Sequence, residues 1–409
     1  MAPAPRIAVL ATLDTKSEEA RYLHQEILGL GSEARVVDIG LGVAQPDALA
    51  TVSAAEVASA AGRTVKDLRT GARGEAMASM GRGAGAILRQ WHAAGELDGV
   101  IAVGGNQGTA IASIAMRALP IGPAKLIIST VASGNVRNYV MDSDIAMQFS
   151  VADLLGGPNA VTKPILHRCA AGIVAMGRAS ASYRDVRRTP AVAVTAFGNT
   201  EQAVVTAMAE LHSQGFETIP FHASGACGSA MERLIDEGRI QAVLDLTIHE
   251  ILGELHPEDI YAPVRPGRLS AACRMGVPQV IVPGGLEYLC FGGVEAIPRQ
   301  YRGRPTHVHN PYNTNVRTTA DELEVIGKLI AERLNAATGP VAVLIPTRGW
   351  SQVGSAGGVL HDPDANEALI KTLRDQLRND IPLRCHDMAI NDREFAVIAA
   401  QTLARLLGH

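Results

Sequence analysis

Short apolar runs alternate with longer segments of helical periodicity along most of the chain. The first run, residues 7–12, has the length of a buried strand, and the next segment, 17–29, has the periodicity of a helix. The same pattern predicts further elements in the first half, namely strands at 35–39, 99–103 and 125–129 and helices at 75–94 and 109–119. Strands that alternate with helices are typical of parallel sheets covered on both faces.

The alternation starts again after a charged segment, 183–190, which ends in a proline. Beyond it, strands are predicted at 191–197, 216–221, 242–246, 278–282 and 341–345, and helices at 200–214, 226–237, 320–336, 366–379 and 393–407. A chain of 409 residues also exceeds what one hydrophobic core usually serves. We therefore predict an α/β protein of two doubly wound Rossmann-like domains, 1–186 and 187–409, with mainly parallel sheets and an interdomain cleft for ligands.

Composition and charge argue against some classes of binding partner. The formal net charge of -4 and the absence of a polybasic run argue against nucleic acid and against an anionic membrane surface. No apolar run is long enough for a membrane helix, and the start of the chain lacks the apolar region of a signal peptide. The five cysteines are widely spread, without a Cys-x-x-Cys pair. We expect a cytoplasmic protein with reduced cysteines and no nucleic-acid or membrane partner.

A glycine-rich turn follows the strand predicted at 99–103. It contains Gly104, Gly105, Gln107, Gly108 and Thr109, and an apolar helix follows at once. Backbone N–H groups at a helix N-terminus bind phosphates, and glycines let phosphate oxygens approach the chain closely. The spacing matches neither a P-loop nor a dinucleotide fingerprint. The turn is therefore either a phosphate site or a tight turn kept small for packing.

A second polar turn follows the first strand. Its candidate ligand residues are Thr12, Asp14, Thr15 and Lys16. A lysine beside phosphates neutralises charge, and an aspartate can hold a ribose hydroxyl or Mg²⁺. Alternatively, Thr15 and Glu18 form a capping box at a solvated helix start.

A third turn follows the strand predicted at 125–129. Its small and hydroxyl residues suit the wall of a ligand site, namely Ser129, Thr130, Ala132, Ser133 and Gly134. Asp142 and Asp144 come shortly after it, and Asp142 is a second candidate contact for Mg²⁺. In a parallel sheet the three turns lie on one edge, which strengthens the prediction of a shared site.

The second half offers candidate acid–base groups. His222 ends a predicted strand and precedes another glycine-rich turn, and His249 and Glu250 follow the strand predicted at 242–246. His307 and His309 share one face of a predicted strand because side chains alternate. We predict that His222, His249, Glu250 and His309 line a catalytic cleft as general acids, bases or metal ligands. Their spacing matches no compact metal motif, and unconnected loop histidines are the alternative.

Three further motifs stay open. Cys227, at a helix start, is either a packed cysteine or a stabilised thiolate. The turn at 283–287 is either part of a cleft or a plain chain reversal, and the arginine cluster at 299–304 is either a solvated face or an anion contact.

The segments at 11–16, 104–109 and 129–134 together resemble the signature of one uncharacterised protein family. It comprises bacterial and fungal proteins similar to the ATP-binding N-terminal region of the tomato mosaic virus resistance protein. Segments of the second half fit this family too, at 221–225, 245–247, 309–311, 317–319, 357–363 and 390–392. The resemblance covers essentially the whole chain and implies ATP and Mg²⁺ binding in the first domain, two subdomains and a homodimer. Asn106-Gln107 departs from the family, where a serine is expected in many relatives.

Three functions are compatible with these motifs. The first is an ATP/Mg²⁺-dependent enzyme that transfers a phosphoryl or nucleotidyl group to a small metabolite, with Lys16 as the phosphate cation and Asp14 or Asp142 at the metal. The second is a nucleotide-gated binding or regulatory protein without chemistry. The third is a lyase or epimerase that uses His222, His249 and Glu250, in which the first domain binds another phosphorylated ligand.

Overall fold

The computed structural model describes residues 4–42, 49–182 and 189–408. The chain divides into two compact units, Met1–Val186 and Arg187–His409. Each unit contains a parallel sheet with buried apolar clusters on both faces, which confirms the α/β class and the two Rossmann-like domains. Most of the predicted boundary segment, 183–188, lies outside the described residues. Within the described ranges, no helix is both long and apolar enough to cross a membrane.

The first unit is built on a five-stranded sheet. Its strands are β1 (Arg6–Ala11), β2 (Glu33–Asp38), β3 (Gly99–Gly104), β4 (Ala124–Ser129) and β5 (Ala146–Phe149). Its helices are α1 (Leu13–Gly29), α2 (Ala54–Ala60), α3 (Val65–Thr70), α4 (Arg73–Ala93), α5 (Asn106–Arg117), α6 (Arg137–Val140) and α7 (Thr162–Ser182). The strand order is β2-β1-β3-β4-β5, and all neighbours pair in parallel. The central strands β3 and β4 are buried throughout because helices cover both faces.

Two helices of this unit begin earlier than the sequence pattern predicts. Helix α1 begins at Leu13 with Thr12 as its N-cap, so the predicted capping box of Thr15 and Glu18 is wrong. Helix α5 begins at Asn106, which leaves Gly105 alone between strand and helix. Apart from Leu13, the first turns of both helices carry polar residues or glycine, and regular apolar periodicity starts only after them. The elements β5 and α7 were not predicted.

The second unit contains a parallel sheet and a smaller antiparallel one. Its strands are β6 (Ala191–Ala196), β7 (Glu217–His222), β8 (Ala242–Thr247), β9 (Gln279–Gly284), β10 (Tyr288–Phe291), β11 (Thr306–Asn310), β12 (Asn313–Arg317), β13 (Val341–Pro346) and β14 (Leu383–His386). Its helices are α8 (Glu201–Ser213), α9 (Ala226–Asp236), α10 (Leu252–Leu255), α11 (Ser270–Met275), α12 (Ala320–Asn335), α13 (Pro363–Gln376) and α14 (Arg393–Leu406). The parallel sheet has the order β14-β13-β9-β8-β6-β7.

The antiparallel sheet has the order β10-β12-β11 and was missed, apart from the strand that carries His307 and His309. Strand β12 reads Asn-Thr-Asn-Val-Arg and is buried along its whole length. A buried strand of polar residues has no apolar run from which it could be predicted. Its register places Cys290, Asn315 and His307 side by side across the three strands.

Candidate functional site

The three turns of the first unit meet at one edge of its sheet. They follow β1, β3 and β4, which are neighbours in the strand order. The hydroxyls of Thr109 and Ser129 lie 2.6 Å apart, and the Thr130 N–H donates to the Gly104 carbonyl at 3.4 Å. A Cβ on Gly108 would lie 3.8 Å from Cγ2 of Thr12. The structure therefore brings residues of all three predicted turns into one cluster.

The start of α5 faces this edge. Gly105 is the N-cap, and no side chain of the described residues caps the helix there. The N–H groups of the first helical turn are thus available to an anion. Tyr139 Oη donates to Asn106 Oδ1 at 3.0 Å, and Arg73 donates to Gln107 Oε1 at 2.9 Å, so a guanidinium stands beside the helix start.

The two glycines before α5 have different reasons to be glycine. A Cβ on Gly104 would lie 3.0 Å from Cα of Gly108, so the close packing of strand against helix favours glycine there. Gly105 has a φ of -80°, which any residue can adopt, and its Cβ would come no closer than 3.7 Å to another described residue, at Oγ1 of Thr130. Neither backbone conformation nor packing therefore accounts for glycine at position 105.

The turn after β1 lies within the first turn of α1. The hydroxyls of Thr12 and Thr15 are 2.9 Å apart, and Lys16, half-buried, has a non-helical φ of -130°. Asp14 is exposed, and its Oδ2 accepts a hydrogen bond from the Gly42 N–H at 2.8 Å. The carboxylate of Asp14 is therefore held at the sheet edge next to the phosphate-binding candidates.

Several residues of this cluster were missed by sequence reasoning. Asp38 ends β2, is buried, and accepts hydrogen bonds from Leu13 N at 3.1 Å and Gly40 N at 2.8 Å. Arg69 donates to the carbonyls of Leu41 and Gly42. The signal that could have found this loop is Asp38-Ile-Gly-Leu-Gly42, directly after the predicted second strand.

The remaining first-unit candidates lie as follows. Ala132 is half-buried, whereas Ser133 and Gly134 are exposed in the turn after β4. Asp142 is buried between α6 and β5. Two residues later, Asp144 accepts a hydrogen bond at 2.6 Å from Lys125, which stands near the amino end of β4. The chain around Asp142 thus leads away from the edge at which Asp14 lies.

A cavity of about 90 Å³ opens in the second unit at the ends of β6 and β7. It is lined by Phe197, Gly198, Asn199, His222, Tyr261, His309, Asn313 and Asn315. Two of the predicted histidines, His222 and His309, therefore share one cavity. His307 lies on the same strand as His309, with the two ring centroids 6.3 Å apart.

His222 packs against two aromatic rings. Its ring centroid lies 5.3 Å from that of Phe197 and 6.3 Å from that of Tyr261. Partial desolvation by this packing lowers the pKa of His222, Glu250 opposes the change, and His249 adds to it. The imidazole is therefore neutral at neutral pH and can accept a proton or a hydrogen bond.

A chain of side-chain hydrogen bonds orients the polar wall of the cavity. Asn315 Nδ2 donates to Asn313 Oδ1 at 3.3 Å, and Asn313 Nδ2 donates to the Tyr261 hydroxyl at 3.2 Å. The Tyr261 oxygen accepts this bond, so its own hydrogen is available to a ligand. Asn315 is 2% exposed, and none of the described residues donates to its Oδ1. The wall thus offers a ligand the hydroxyl hydrogen of Tyr261, whereas the amide oxygen of Asn315 is buried behind it.

His249 lies beneath the cavity rather than in its wall. Its ring is fully buried and stacks on Phe197, with centroids 5.1 Å apart and planes inclined by 15°. Nδ1 lies 2.8 Å from the carbonyl of Gly285, and Nε2 lies 3.1 Å from Oδ2 of Asp259. Burial alone would lower the pKa of His249, but the Asp259 carboxylate and the Cys290 side chain raise it well above its ordinary value.

Glu250 is buried, and both of its carboxylate oxygens have partners within the protein. Oε1 accepts hydrogen bonds from Gly225 N at 2.5 Å and Gly228 N at 3.1 Å, and Oε2 accepts one from Arg268 at 2.7 Å. A Cβ on Gly228 would lie 1.8 Å from Oε2 of Glu250. The glycine-rich turn before α9 therefore encloses the carboxylate of Glu250. The prediction placed Glu250 in the wall of a cleft, but the residue lies behind this turn. Cys227, in the same turn, is half-buried.

The other open motifs also have defined places. Glu287, at the end of the turn at 283–287, is buried and accepts a hydrogen bond from Ser351 at 2.8 Å. Burial raises the pKa of Glu287 to about 7. Within the arginine cluster, Arg304 pairs with Glu322 at 2.8 Å and covers the ring of Tyr301.

Comparison with known proteins agrees with the motif assignment. The model of the Uncharacterised protein family (UPF0261) N-terminal domain matches residues 5–182, and that of the C-terminal domain matches residues 189–407. A UPF0261 protein of Clostridium tetani is 37% identical over 404 residues, covering 98% of this chain and 99% of that protein. A UPF0261 protein of Rhizobium meliloti is 37% identical over 397 residues, covering 96% and 97%.

A plant protein is similar over the same length. The ToMV susceptible protein tm-1(GCR26) of Solanum lycopersicum is 33% identical over 418 residues, which covers 96% of this chain and 54% of the tomato protein. The two family models together span nearly the whole chain, and the bacterial relatives match it over almost their full length. This chain therefore belongs to the UPF0261 family.

Proposed function

We propose that the first domain binds ATP with Mg²⁺ at the edge formed by the turns after β1, β3 and β4. The observation that supports this most strongly is Gly105, which neither backbone strain nor packing requires, at the uncapped start of α5. A phosphate group is the ligand that would need both the free N–H groups and the missing Cβ. Lys16 and Arg73 would neutralise its charge, and Asp14 would contact Mg²⁺. Asp142, the second contact predicted from the sequence, lies on a segment that leads away from this edge, so Asp14 is the metal contact we propose.

We further propose that the protein is an ATP-dependent enzyme that acts on a small polar metabolite, which binds in the cavity of the second domain. The cavity is lined by polar groups, and His222 and His309 are its titratable imidazoles. Phosphoryl or nucleotidyl transfer asks little of the protein beyond positioning and charge stabilisation. The resemblance to the family also suggests a homodimer, which analytical ultracentrifugation of the full chain would test.

A second candidate function places the chemistry wholly in the second domain. A neutral imidazole at His222 and a free hydroxyl hydrogen at Tyr261 face the same cavity, which suits proton abstraction and donation by a lyase or epimerase. Turnover of a metabolite that continues without ATP would favour this candidate. Binding of both ligands without any product would favour a nucleotide-gated regulator.

The nucleotide proposal is tested by thermal unfolding and calorimetric titration of the full chain. Mg²⁺-ATP at about 100 times its Kd should stabilise the protein by about 2.7 kcal/mol, and chelation of Mg²⁺ should weaken the effect. Lys16→Gln should weaken binding, whereas Lys328→Gln, an exposed lysine of the second domain paired with Glu324, should not. Unchanged unfolding at millimolar Mg²⁺-ATP would refute the proposal.

A further inference from the structure

Three buried side chains of the second domain direct different donor atoms at one point. His249 offers a ring nitrogen, Asp259 a carboxylate oxygen and Cys290 its sulfur, and these atoms all lie within 4.8 Å of one another. Each of the three side chains is shielded from solvent. Asp259 follows His249 by 10 residues and Cys290 comes 31 residues after Asp259, so only folding brings the three donor atoms together.

The arrangement differs from a nucleophilic triad. In a triad, the acid binds one ring nitrogen of the histidine and the nucleophile binds the other. Here Nδ1 of His249 is engaged by the Gly285 carbonyl, and Nε2 is the nitrogen that faces Asp259. The Cys290 side chain also hydrogen-bonds to His249, but no separate ring nitrogen remains for it. Acid and thiol therefore converge on the same side of the imidazole.

Each donor group is held by an outer partner. The Gly285 carbonyl orients the imidazole of His249, and the backbone N–H groups of Tyr261 and Cys290 each donate to Asp259 at 2.7 Å. Asn315 Nδ2 donates to the sulfur of Cys290 at 3.1 Å. Metal ligands in proteins have this kind of support, in which a backbone carbonyl fixes the histidine tautomer and hydrogen bonds fix the anionic ligands.

We propose that His249, Asp259 and Cys290 bind one Zn²⁺ ion. Nitrogen, carboxylate oxygen and thiolate sulfur are the ligand types of zinc, and its bonds of about 2.0–2.3 Å place tetrahedral ligands about 3.3–3.8 Å apart. The three donor atoms, all within 4.8 Å of one another, would draw together to reach that spacing. The proton between His249 and Asp259 and the thiol proton of Cys290 leave when the metal binds. This inference does not depend on nucleotide binding by the first domain.

Three protein ligands leave one position of a tetrahedral zinc ion for another atom. That count is typical of catalytic zinc sites, whereas structural sites use four protein ligands. The cluster adjoins the cavity. Asn315, which contacts Cys290, and Tyr261, which hydrogen-bonds through its N–H to Asp259, both line the cavity wall. An oxygen atom of water or of a metabolite is the fourth ligand that this position would take.

The test uses the full chain, stripped with a chelator, refolded with Zn²⁺ alone and desalted before the metal is counted by mass spectrometry. The parent should retain one zinc ion per chain. Cys290→Ser and Asp259→Asn should each lower zinc affinity by about tenfold or more. Cys273→Ser is the matched control, because Cys273 is equally buried and its sulfur also accepts a side-chain amide, from Gln279 at 3.1 Å.

The proposal is overturned if the parent retains no zinc, if folded Cys290→Ser retains as much as the parent, or if Cys273→Ser loses it equally. If Cys290→Ser does not fold, X-ray absorption of the zinc-loaded parent decides. One sulfur neighbour at about 2.3 Å supports the site, and a shell of nitrogen and oxygen only excludes it. Loss of the zinc ion in His309→Ala would instead assign the binding to the pair formed by half-buried His307 and exposed His309, and would overturn the proposal. Mg²⁺-ATP titration of the same samples reports on the nucleotide proposal separately.

Discussion

Glu250 and Arg268 form a fully buried ion pair, in which Oε2 of the carboxylate lies 2.7 Å from Nε of the guanidinium. The same guanidinium also pairs with Asp245 at 3.0 Å and Glu232 at 2.7 Å. Burial raises the pKa of both Asp245 and Glu232, and the Arg268 charge opposes that rise. This network joins the turn before α9 to β8, and it accounts for Glu250 without a role at a substrate.

Arg268→Leu should therefore destabilise the second domain strongly. Removing the one cation leaves two buried carboxyl groups and the partly exposed Glu232 without a counter-charge, and losses of this kind cost about 3–5 kcal/mol of unfolding free energy. Arg274→Leu is the control, since Arg274 and Asp236 form a pair that is about half exposed, and its loss should cost about 1 kcal/mol or less. Urea unfolding of the two variants measures the difference, and equal stability would show that the network is not needed.

Gly105→Val should fold like the parent and lose nucleotide binding. The backbone at Gly105 admits a side chain, but the new methyl groups would occupy the space at the start of α5 that a phosphate needs. Losing even one charge-assisted N–H contact, worth about 1.5–3 kcal/mol, raises Kd by about tenfold or more. Calorimetric titration with Mg²⁺-ATP measures this change.

Two other glycines serve as controls for that variant. Gly29 ends α1 at the far end from Thr12, and a Cβ there meets nothing within 4 Å, so Gly29→Val should bind like the parent. Gly104→Ala should lower stability instead, because its Cβ would press on Cα of Gly108 at 3.0 Å. A folded Gly105→Val that binds Mg²⁺-ATP normally would reduce the turn to a packing device.

Glu287 should make stability depend on pH. Burial raises the pKa of Glu287 from 4.5 to about 7, so the folded protein keeps a proton that the unfolded chain releases. Its contribution to stability is complete below pH 4.5 and is lost as the pH rises to about 7, a change of about 3 kcal/mol. Glu287→Gln should remove this slope, which urea unfolding between pH 5 and 8, about the range of that loss, would record.

The exposed substitution Glu332→Gln provides the comparison for Glu287, and its pH profile should follow that of the parent. The prediction fails if the stability of the parent does not fall with rising pH, or if that of Glu287→Gln falls as much. Either result would show that Glu287 is not the group that holds the proton in the folded protein.

A metabolite that binds in the second-domain cavity should lose affinity when either polar wall residue is changed. His222→Ala removes the neutral imidazole, and Tyr261→Phe removes the one hydroxyl hydrogen that the asparagine chain leaves free. Each loss of a hydrogen bond should cost about 0.5–1.5 kcal/mol, roughly a two- to tenfold rise in Kd. A thermal-shift screen of small polar metabolites, followed by calorimetry on the best ligand, measures this.

His212→Ala is the matched change outside the cavity, since His212 lies on α8 and bonds to Thr218. It should leave metabolite affinity unchanged. Equal losses in His212→Ala and His222→Ala would place the metabolite elsewhere. Mg²⁺-ATP affinity should stay the same in all three variants, because the proposed nucleotide residues belong to the first domain.

Local patterns in the sequence were sufficient for the two α/β units and for the nucleotide candidates. Apolar runs such as β3 and β4 are fully buried strands, and this burial on both faces is visible in the chain itself. Once parallel strands are assigned, the turns after β1, β3 and β4 must meet at one edge. Thr109 and Ser129 therefore come together without any further information.

Tertiary structure alone decided the second-domain site. Glu250 belongs to a buried network and His249 lies beneath Phe197. Their partners Arg268, Asp259 and Gly285 lie 18, 10 and 36 residues away, beyond the reach of any local pattern. Strand β12 is polar and yet buried, so its asparagines gave no strand pattern and no hint of a cavity wall. Long-range pairing of polar groups leaves no periodicity in the sequence, whereas burial of apolar faces does.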